Sequence, residues 1–313
     1  MSAQHDKKLA LYLQRCKAKV DAGAHYEAQQ SVRTYVNRYV AGKKFADATE
    51  LLFQSCKMLI EAQKYDESAD LLLYLLEIFE KESPSEDQVK KDQLPQVVEI
   101  LNLIPDTDAN LPSLTKEISR WAAESTGSAL GDSQLNYVLG EKLFYSELKE
   151  NMNLAEQCLL ASQNEEALKL LLELNLQVLR NGGPELVPVI APRLVVPYLL
   201  MENFKFATKS LAVLIEEYSS RGELVESGGM KTFIFEESNF KMLNFLQLLV
   251  QFAQRAGPEN ADNFKILFGR YRSLFDESLE KKVNAIGEIY FGVSVVAKAV
   301  NPLQNMMSGL FGR

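Results

Sequence analysis

Few residues of this 313-residue chain are of the types that carry acid–base, metal or thiol chemistry. The two histidines are His5, near the amino terminus, and His25, in the turn before an expected helix, so capping or packing is favoured for His25 over general-base catalysis. Cys16, Cys56 and Cys158 lie at least 40 residues apart and form no CxxC motif. This spacing indicates neither a zinc site nor a disulfide framework, and we expect three reduced thiols.

The sequence also lacks the motifs that bind phosphate or activate a nucleophile. It contains no GxxxxGKS/T, GxGxxG or GxSxG, and the acidic group DTDA at 106–109 is in a helix-capping position rather than in the spacing of a calcium loop. The sequence therefore predicts a protein that is not an enzyme and that binds neither a cofactor nor a metal.

Charge and hydropathy argue against two further classes of protein. The net charge of −8 disfavours a general nucleic-acid-binding protein. Residues 1–60 carry ten Lys or Arg against five acids, which leaves +5 there and −13 in the remainder. This polarity is compatible with a partner surface at one end or with a solvated basic helix face. The most apolar stretch, VPVIAPRLVVPYLLM at 187–201, is interrupted by three prolines and Arg193, so we predict a cytosolic protein without direct membrane insertion.

The elements that would position any functional residue repeat in the first third of the chain. HYEAQQSVRTYVNRYV, KFADATELLFQSCKMLI and KYDESADLLLYLLEIFE each contain an aromatic residue followed two or three residues later by a small one, with spacings of 19 and 20 residues. The pairs are Tyr26 with Ala28, Phe45 with Ala48, and Tyr65 with Ser68. Two periods predict a helical hairpin of about 40 residues, the size of an α-solenoid repeat. We expect the small residue to allow close helix packing and the aromatic residue to wedge between turns.

The later chain continues this pattern. Amphipathic runs at 163–179 and 203–218 predict further helices, and the breaker-rich stretches at 81–92, 104–113 and 181–185 predict connectors too short to be flexible linkers. The predicted fold class is all-α, a continuous right-handed α-solenoid of tetratricopeptide-like helical hairpins with about fifteen helices. Trp121, the only tryptophan, is expected to be a packing residue.

One segment departs from the helical pattern. In GELVESGGMKTFIFEESNF, residues 222–240, the turn signal SGG precedes the β-branched and aromatic run TFIF, which predicts a short β-hairpin near residues 223–236. Phe233 and Phe235 are expected on one face of the strand and Ile234 on the other, so one face needs a cover from elsewhere. A partner helix in a groove beside the hairpin would supply that cover; the alternative is that the hairpin only caps the local core.

The amino-terminal end offers residue types that are enriched in protein interfaces. VRTYVNRYVAGKK at 32–44 contains Arg33, Tyr35, Arg38, Tyr39 and Lys43. The alternative is that Tyr35 and Tyr39 form the core stripe of that helix and that the arginines only solvate it.

Four segments, in order along nearly the whole chain, resemble the Golgi-to-ER traffic protein four family, a scaffold of the guided-entry pathway for tail-anchored membrane proteins. They are HYEAQQSVRTYVNRYV, LLLYLLEIFE, LNFLQLLVQF after the hairpin, and NPLQNMMSGLFG at the carboxy terminus. The resemblance implies a cytosolic α-solenoid without catalytic activity that bridges two partners. Residues 1–150 would bind the tail-anchor targeting ATPase, and residues 151–313 would bind the amino-terminal segment of a ubiquitin-like-domain protein. The bridge would promote handover of a tail-anchored protein from an upstream small glutamine-rich tetratricopeptide co-chaperone to the ATPase.

The resemblance also implies site residues by motif match, while the stretch from about 105 to 220 matches no motif and leaves the border between the two halves open. The expected ATPase contacts are Arg33, Arg38, Tyr39 and Glu77. The expected contacts with the ubiquitin-like partner are Phe233, Phe235, Phe240, Leu243 and Leu246.

Two other functions are compatible with the sequence. One is an α-solenoid subunit of a proteasome-lid-like or coat-like assembly, although the carboxy-terminal NPLQNMMSGLFGR is not the winged-helix ending expected of lid-type proteins. The other is membrane-surface binding by that tail, in which Arg313 is the only cation and the glycines weaken a helix. Its apolar face would consist of Leu303, Met306, Met307, Leu310 and Phe311.

Overall fold

The structure, a computed structural model, describes residues 2–82, 84–227 and 230–295. The predicted all-α fold of helical hairpins with one inserted β-hairpin is confirmed. Contacts divide the chain into two compact units, Met1–Leu170 (unit 1) and Leu171–Arg313 (unit 2). The apolar tail face predicted at 303–311 lies outside the described residues.

Unit 1 consists of helices joined by short turns, and the one-turn α5 continues through a π-helix, Val89–Gln93, into α6. The helices are α1 Ser2–Asp21, α2 His25–Ala41, α3 Phe45–Glu61, α4 Tyr65–Glu82, α5 Glu86–Gln88, α6 Leu94–Leu103, α7 Leu111–Thr126, α8 Ser133–Tyr145 and α9 Met152–Ser162. The helix α10, Glu165–Gly182, begins in unit 1 and ends in unit 2.

The repeat packs largely as its pattern predicts. The small residues Ala28, Ala48 and Ser68 are fully buried, which lets α2, α3 and α4 approach closely. The wedge predicted for the aromatic residues is wrong at Tyr26, whose side chain is 67% exposed. Helix α1 packs against α2 and α3 but leaves the Tyr26 side chain in contact with solvent.

Two features of unit 1 depend on single residues. The connector predicted at 81–92 is wrong from residue 86 onward, because Ser85 begins a helix there: its hydroxyl accepts a hydrogen bond from the Gln88 N–H at 3.3 Å.

Gly140 allows α8 and α9 to pack closely, since a Cβ at this position would lie 2.8 Å from the Leu159 side chain. Trp121 is fully buried, as predicted.

Unit 2 surrounds an apolar helix, α11. Its elements are α11 Val187–Leu200, α12 Phe204–Glu217, β1 Glu223–Ser227, β2 Met230–Ile234, α13 Lys241–Ala253, α14 Ala261–Tyr271 and α15 Glu277–Phe291. The prolines Pro192 and Pro197 lie inside α11, where each interrupts the helical hydrogen bonding. Contacts with α12, α13 and α15 bury most of α11 and offset that cost.

The hairpin pairs β1 and β2 antiparallel, with Leu224 opposite Phe233 and Glu223 opposite Ile234. Residues 228 and 229 of its turn lie outside the described part of the chain. After β2, the chain passes through a short 3-10 helix, Ser238–Phe240, directly into α13, so the hairpin lies against that helix.

Candidate partner-binding surfaces

The thiols and the possible metal ligands are the residue types that could carry chemistry, and the structure shows how they are placed. Cys16, Cys56 and Cys158 are free and buried, and burial raises the pKa of Cys56 and of Cys158 to about 12, which keeps both thiols protonated and weakly nucleophilic. Within residues 2–82, 84–227 and 230–295, no group of three or more His, Cys, Asp or Glu could hold a metal ion. No described helix is long and apolar enough to cross a bilayer.

A polar surface joins α2 to α4 in unit 1, and we call it the α2–α4 face. Arg33 donates from Nη1 to the Asp70 carboxylate at 2.7 Å, and its guanidinium carbon lies 4.4 Å from the centre of the Tyr74 ring. Gln29 Nε2 donates to the same carboxylate oxygen at 2.6 Å. The Tyr74 hydroxyl donates to Asn37 Oδ1 at 2.7 Å. The face therefore has a preorganised arginine whose side chain is held by a carboxylate and an aromatic ring.

Glu77 lies on the next turn of α4 and pairs with Lys81 at 3.7 Å, with both side chains more than half exposed. The Lys81 ammonium lies 5.8 Å from the Tyr74 ring centre, so Tyr74 lies between two cations. Burial raises the pKa of the Tyr74 phenol, and the Arg33 charge acts in the opposite direction. The phenol therefore stays protonated as the donor to Asn37.

Arg38 projects from a different side of α2. Its guanidinium carbon is 5.8 Å from the Tyr35 ring centre, and the Tyr35 ring stacks on Tyr12 of α1 at 3.9 Å. Tyr39 is 6% exposed and packs edge-to-face against Tyr12. Burial, followed by the charge of Asp47, raises the pKa of Tyr39 to about 12, and its hydroxyl has no hydrogen-bond partner among the described residues.

The structure thus brings Arg33 and Glu77 to one face and places Arg38 elsewhere. The expected exposure of Tyr39 needs correction, because its ring is packed on Tyr12 inside the unit. Sequence reasoning missed Asp70 and Tyr74. They contact Arg33 across about two repeats, and no local pattern identifies contacts at that separation.

The predicted hairpin residues are mostly core residues of unit 2. Phe235 is fully buried, with its ring 5.7 Å from that of Phe240, and a Cβ at Gly222 would lie 2.8 Å from the Phe235 ring. Leu243 and Leu246 are fully buried on the core side of α13. Phe235, Phe240, Leu243 and Leu246, expected as contacts of the ubiquitin-like partner, are instead buried in the core of unit 2 in the free chain. Binding of a partner at this end stays a prediction.

The exposed side of the hairpin faces a groove, which we call the hairpin groove. It has a volume of about 470 Å³ and lies between β2, α13 and the end of α14. Ile234 is 41% exposed there and Leu274 37%, while Phe233 is half-buried. The residues that line the groove include Thr232, Phe233, Ile234, Asn244, Arg270 and Leu274. The sequence predicts that one hairpin face needs a cover, and in the structure apolar side chains are exposed on both faces, Leu224 on one and Ile234 on the other.

The chain is similar to known proteins over most of its length. A family model described as Golgi to ER traffic protein 4 matches residues 42–311. The Golgi to ER traffic protein 4 of Aspergillus fumigatus is 28% identical over 337 residues, covering 100% of this chain and 91% of that protein. The protein of the same name from Schizosaccharomyces pombe is 29% identical over 290 residues, covering 91% of this chain and 90% of that protein. Arg33, Arg38 and Tyr39 precede the range matched by the family model.

The fold is also similar to that of a solved structure. The crystal structure of C. therm. Get4 superposes with a TM-score of 0.75 at 22% sequence identity, covering 98% of this chain and 96% of that chain. At this identity the similarity supports the fold, whereas binding residues have to be argued from the surfaces described above.

Proposed function

Because the chain belongs to the Golgi to ER traffic protein 4 family, we propose that it is a non-enzymatic cytosolic scaffold in the delivery of tail-anchored membrane proteins to the ER. In this proposal unit 1 binds the targeting ATPase, and unit 2 binds the amino-terminal segment of a ubiquitin-like-domain protein. The scaffold thereby promotes handover of the tail-anchored protein from a small glutamine-rich tetratricopeptide co-chaperone to the ATPase.

The observation that carries the proposal is the hairpin groove. It is concave, about 470 Å³ in volume, and lined by the exposed apolar side chains of Ile234 and Leu274 with Arg270 at its edge. A groove of this character accepts the apolar face of an amphipathic segment, and the charged edge fixes its orientation. The hairpin forms one wall of the groove, so a bound segment would cover the apolar side chains of β2 that are exposed in the free chain.

The ATPase-binding part of the proposal is supported by unit 1. The first 60 residues carry a charge of +5 in a chain whose net charge is −8, so this end attracts an acidic partner surface. Arg38 is exposed beside the Tyr12–Tyr35 stack, and arginine next to aromatic rings is typical of interface hot spots. Arg33 and Glu77 supply a second polar contact region on the α2–α4 face.

The experiment that tests this function measures binding of each partner separately and together. The wild-type chain should bind the ATPase and the ubiquitin-like-domain protein simultaneously. Arg38→Glu should weaken ATPase binding by more than about 1 kcal/mol, mainly through kon, and the loss should shrink at high salt. Binding of the ubiquitin-like-domain protein should stay unchanged.

Lys149→Glu is the matched control, because Lys149 is an exposed cation of the same unit outside α2 and α4. It changes the net charge by the same amount as Arg38→Glu, so an equal loss of ATPase affinity would show that only overall charge matters. Arg33→Glu is a poorer choice, since it would place a second carboxylate beside Asp70 and destabilise the α2–α4 face. Failure of the wild-type chain to bind either partner would refute the bridge.

A further inference from the structure

The outer edge of β2 faces α13 rather than another strand. In an antiparallel pair, the N–H and C=O groups of alternate residues point toward the partner strand, and those of the residues between them point away from it. Phe233 and Phe235 direct theirs away from β1, toward α13. An unpaired strand edge in this position would leave backbone groups without partners beside a packed helix, which is costly.

Two side-chain amides of α13, Asn244 and Gln247, satisfy this edge, and we call them the amide pair. Gln247 Oε1 accepts from the Phe233 N–H at 3.0 Å, and Gln247 Nε2 donates to the Phe233 carbonyl at 2.9 Å. Asn244 bonds both backbone groups of Phe235 in the same way, at 3.0 and 2.9 Å. Each amide thus accepts one hydrogen bond and donates one, as the backbone of a residue in a third antiparallel strand would do.

Asn244 and Gln247 have side chains of different length, and this difference compensates for the different residue spacings along the helix and the strand. Residues 244 and 247 are about 4.5 Å apart along the helix, whereas residues 233 and 235 are about 6.6 Å apart along the strand. Gln has one methylene more than Asn, and this difference lets both amides reach their strand residues. Gln251, one turn further along α13, reaches only the Thr232 hydroxyl, at 3.3 Å.

The amide pair also borders the hairpin groove. Asn244 and Phe233 both line it, and Ile234 lies between the two strand residues that the pair binds. Gln247 is 4% exposed, so without its amide the Phe233 N–H and C=O could regain hydrogen bonds only by moving out to water. That movement would carry Ile234 with it and change the width of the groove.

We propose that Asn244 and Gln247 are positioning residues that act as a third strand and fix the hairpin at the distance from α13 at which the groove accepts its partner segment. The inference rests on the proposed function for the identity of that segment. The hydrogen bonds of the amide pair are formed in the free chain and do not depend on a partner. A preformed groove shortens the search for the binding-competent state, so Gln247, which is buried and does not line the groove, acts on affinity without touching the partner.

The test uses the full chain with Gln247→Met and Asn244→Leu, singly and together, because both changes remove the amide and nearly conserve volume. Gln251→Met is the matched control, since Gln251 binds a side chain rather than the backbone of the strand. Hydrogen exchange of the Phe233 and Phe235 amides is measured in the free chain. Binding kinetics are measured with a synthetic peptide of the amino-terminal segment of the pathway's ubiquitin-like-domain protein.

We expect exchange at Phe233 in Gln247→Met, and at Phe235 in Asn244→Leu, to be about tenfold faster, with the exchange of α11 amides unchanged. In Gln247→Met, kon for the peptide should fall severalfold while koff stays constant, because Gln247 does not line the groove and only the competent fraction of the free chain has decreased. Gln251→Met should match the wild type in both measurements.

Three results would overturn the inference: unchanged exchange at Phe233 and Phe235, a loss of affinity carried by koff, or faster exchange throughout unit 2. The second would make the amides direct contacts, and the third would make them general stabilisers. If the wild-type chain does not bind the peptide at all, the proposed function fails. The exchange measurement then still decides whether the amide pair holds the hairpin against α13. Asn244→Ala, at a half-buried position, provides a milder variant if the double variant does not fold.

Discussion

Replacing Ile234 by alanine tests whether the hairpin groove is the binding site for the ubiquitin-like partner. Fully burying an isoleucine side chain contributes about 1.5–3 kcal/mol, and 41% of Ile234 is exposed in the free chain. A partner that covers this fraction gains about 1 kcal/mol from it, which corresponds to about a fivefold change in Kd. The already buried part of the side chain contributes to folding, so we also expect a loss of about 1–2 kcal/mol in unfolding free energy.

Leu224→Ala is the matched control for this prediction. Leu224 is 51% exposed on β1, the strand of the hairpin farther from α13, and it does not line the groove. Phe235→Ala is the contrasting core variant: its ring is fully buried, and its loss should lower the unfolding free energy by about 3–5 kcal/mol.

Isothermal titration with the partner's amino-terminal segment, together with urea unfolding of each variant, gives the answer. Ile234→Ala should weaken binding about fivefold, and Leu224→Ala should leave it unchanged. ATPase binding should be unaffected by both. Equal losses for Ile234→Ala and Leu224→Ala would refute the groove as the site, and so would unchanged affinity in Ile234→Ala.

Three further predictions concern stability and are read from urea unfolding. Gly140→Ala should destabilise by about 1–2 kcal/mol, because the added methyl group would clash with Leu159 despite the better helix propensity of alanine; an unchanged midpoint would contradict the close helix contact. Tyr198→Phe should be neutral or stabilising by up to about 1 kcal/mol, since the buried Tyr198 hydroxyl has no partner in the described chain; a clear loss would indicate a hidden hydrogen bond. The hydrogen bond from Arg180 lowers the pKa of Glu217 in the folded chain. The pair therefore stabilises the folded state at pH values above the pKa that Glu217 has in the unfolded chain, and this stabilisation is lost as the pH falls through the lower pKa of the folded chain. Arg180→Met should therefore be less stable than wild type at pH 7 and equal to it in acid, and a constant difference would refute the linkage.

Local patterns in the sequence were enough to predict the repeat and the hairpin. The small residues Ala28, Ala48 and Ser68 mark helix contacts within one repeat, and each is fully buried. The strand signal TFIF follows a glycine turn, and β2 covers Met230–Ile234. Such features depend on periodicity and turn chemistry over fewer than about 20 residues, where sequence reasoning is strongest.

The polar surfaces could not be predicted because their contacts join distant parts of the chain. Arg33 reaches Asp70 and Tyr74 across about two repeats. Arg38 lies on another side of the same helix, so the two arginines of one motif have different neighbours. A motif match assigns both to one partner, whereas side-chain direction depends on the packing of α1, α2 and α4 together.

The amide pair corresponds to a sequence signal that the sequence analysis did not use. The segment LNFLQLLVQF, residues 243–252 of α13, includes Asn244, Gln247 and Gln251 at spacings that share one helix face, and this stripe looks like the solvent side of an amphipathic helix. A solvent face would equally accept Lys or Glu, but a lysine only donates and a carboxylate only accepts. A neutral amide does both and can be buried without a charge, so it alone among these side chains can pair with the N–H and C=O of one strand residue. A stripe of amides without charges, shortly after a predicted hairpin, therefore indicates a strand edge packed against that helix.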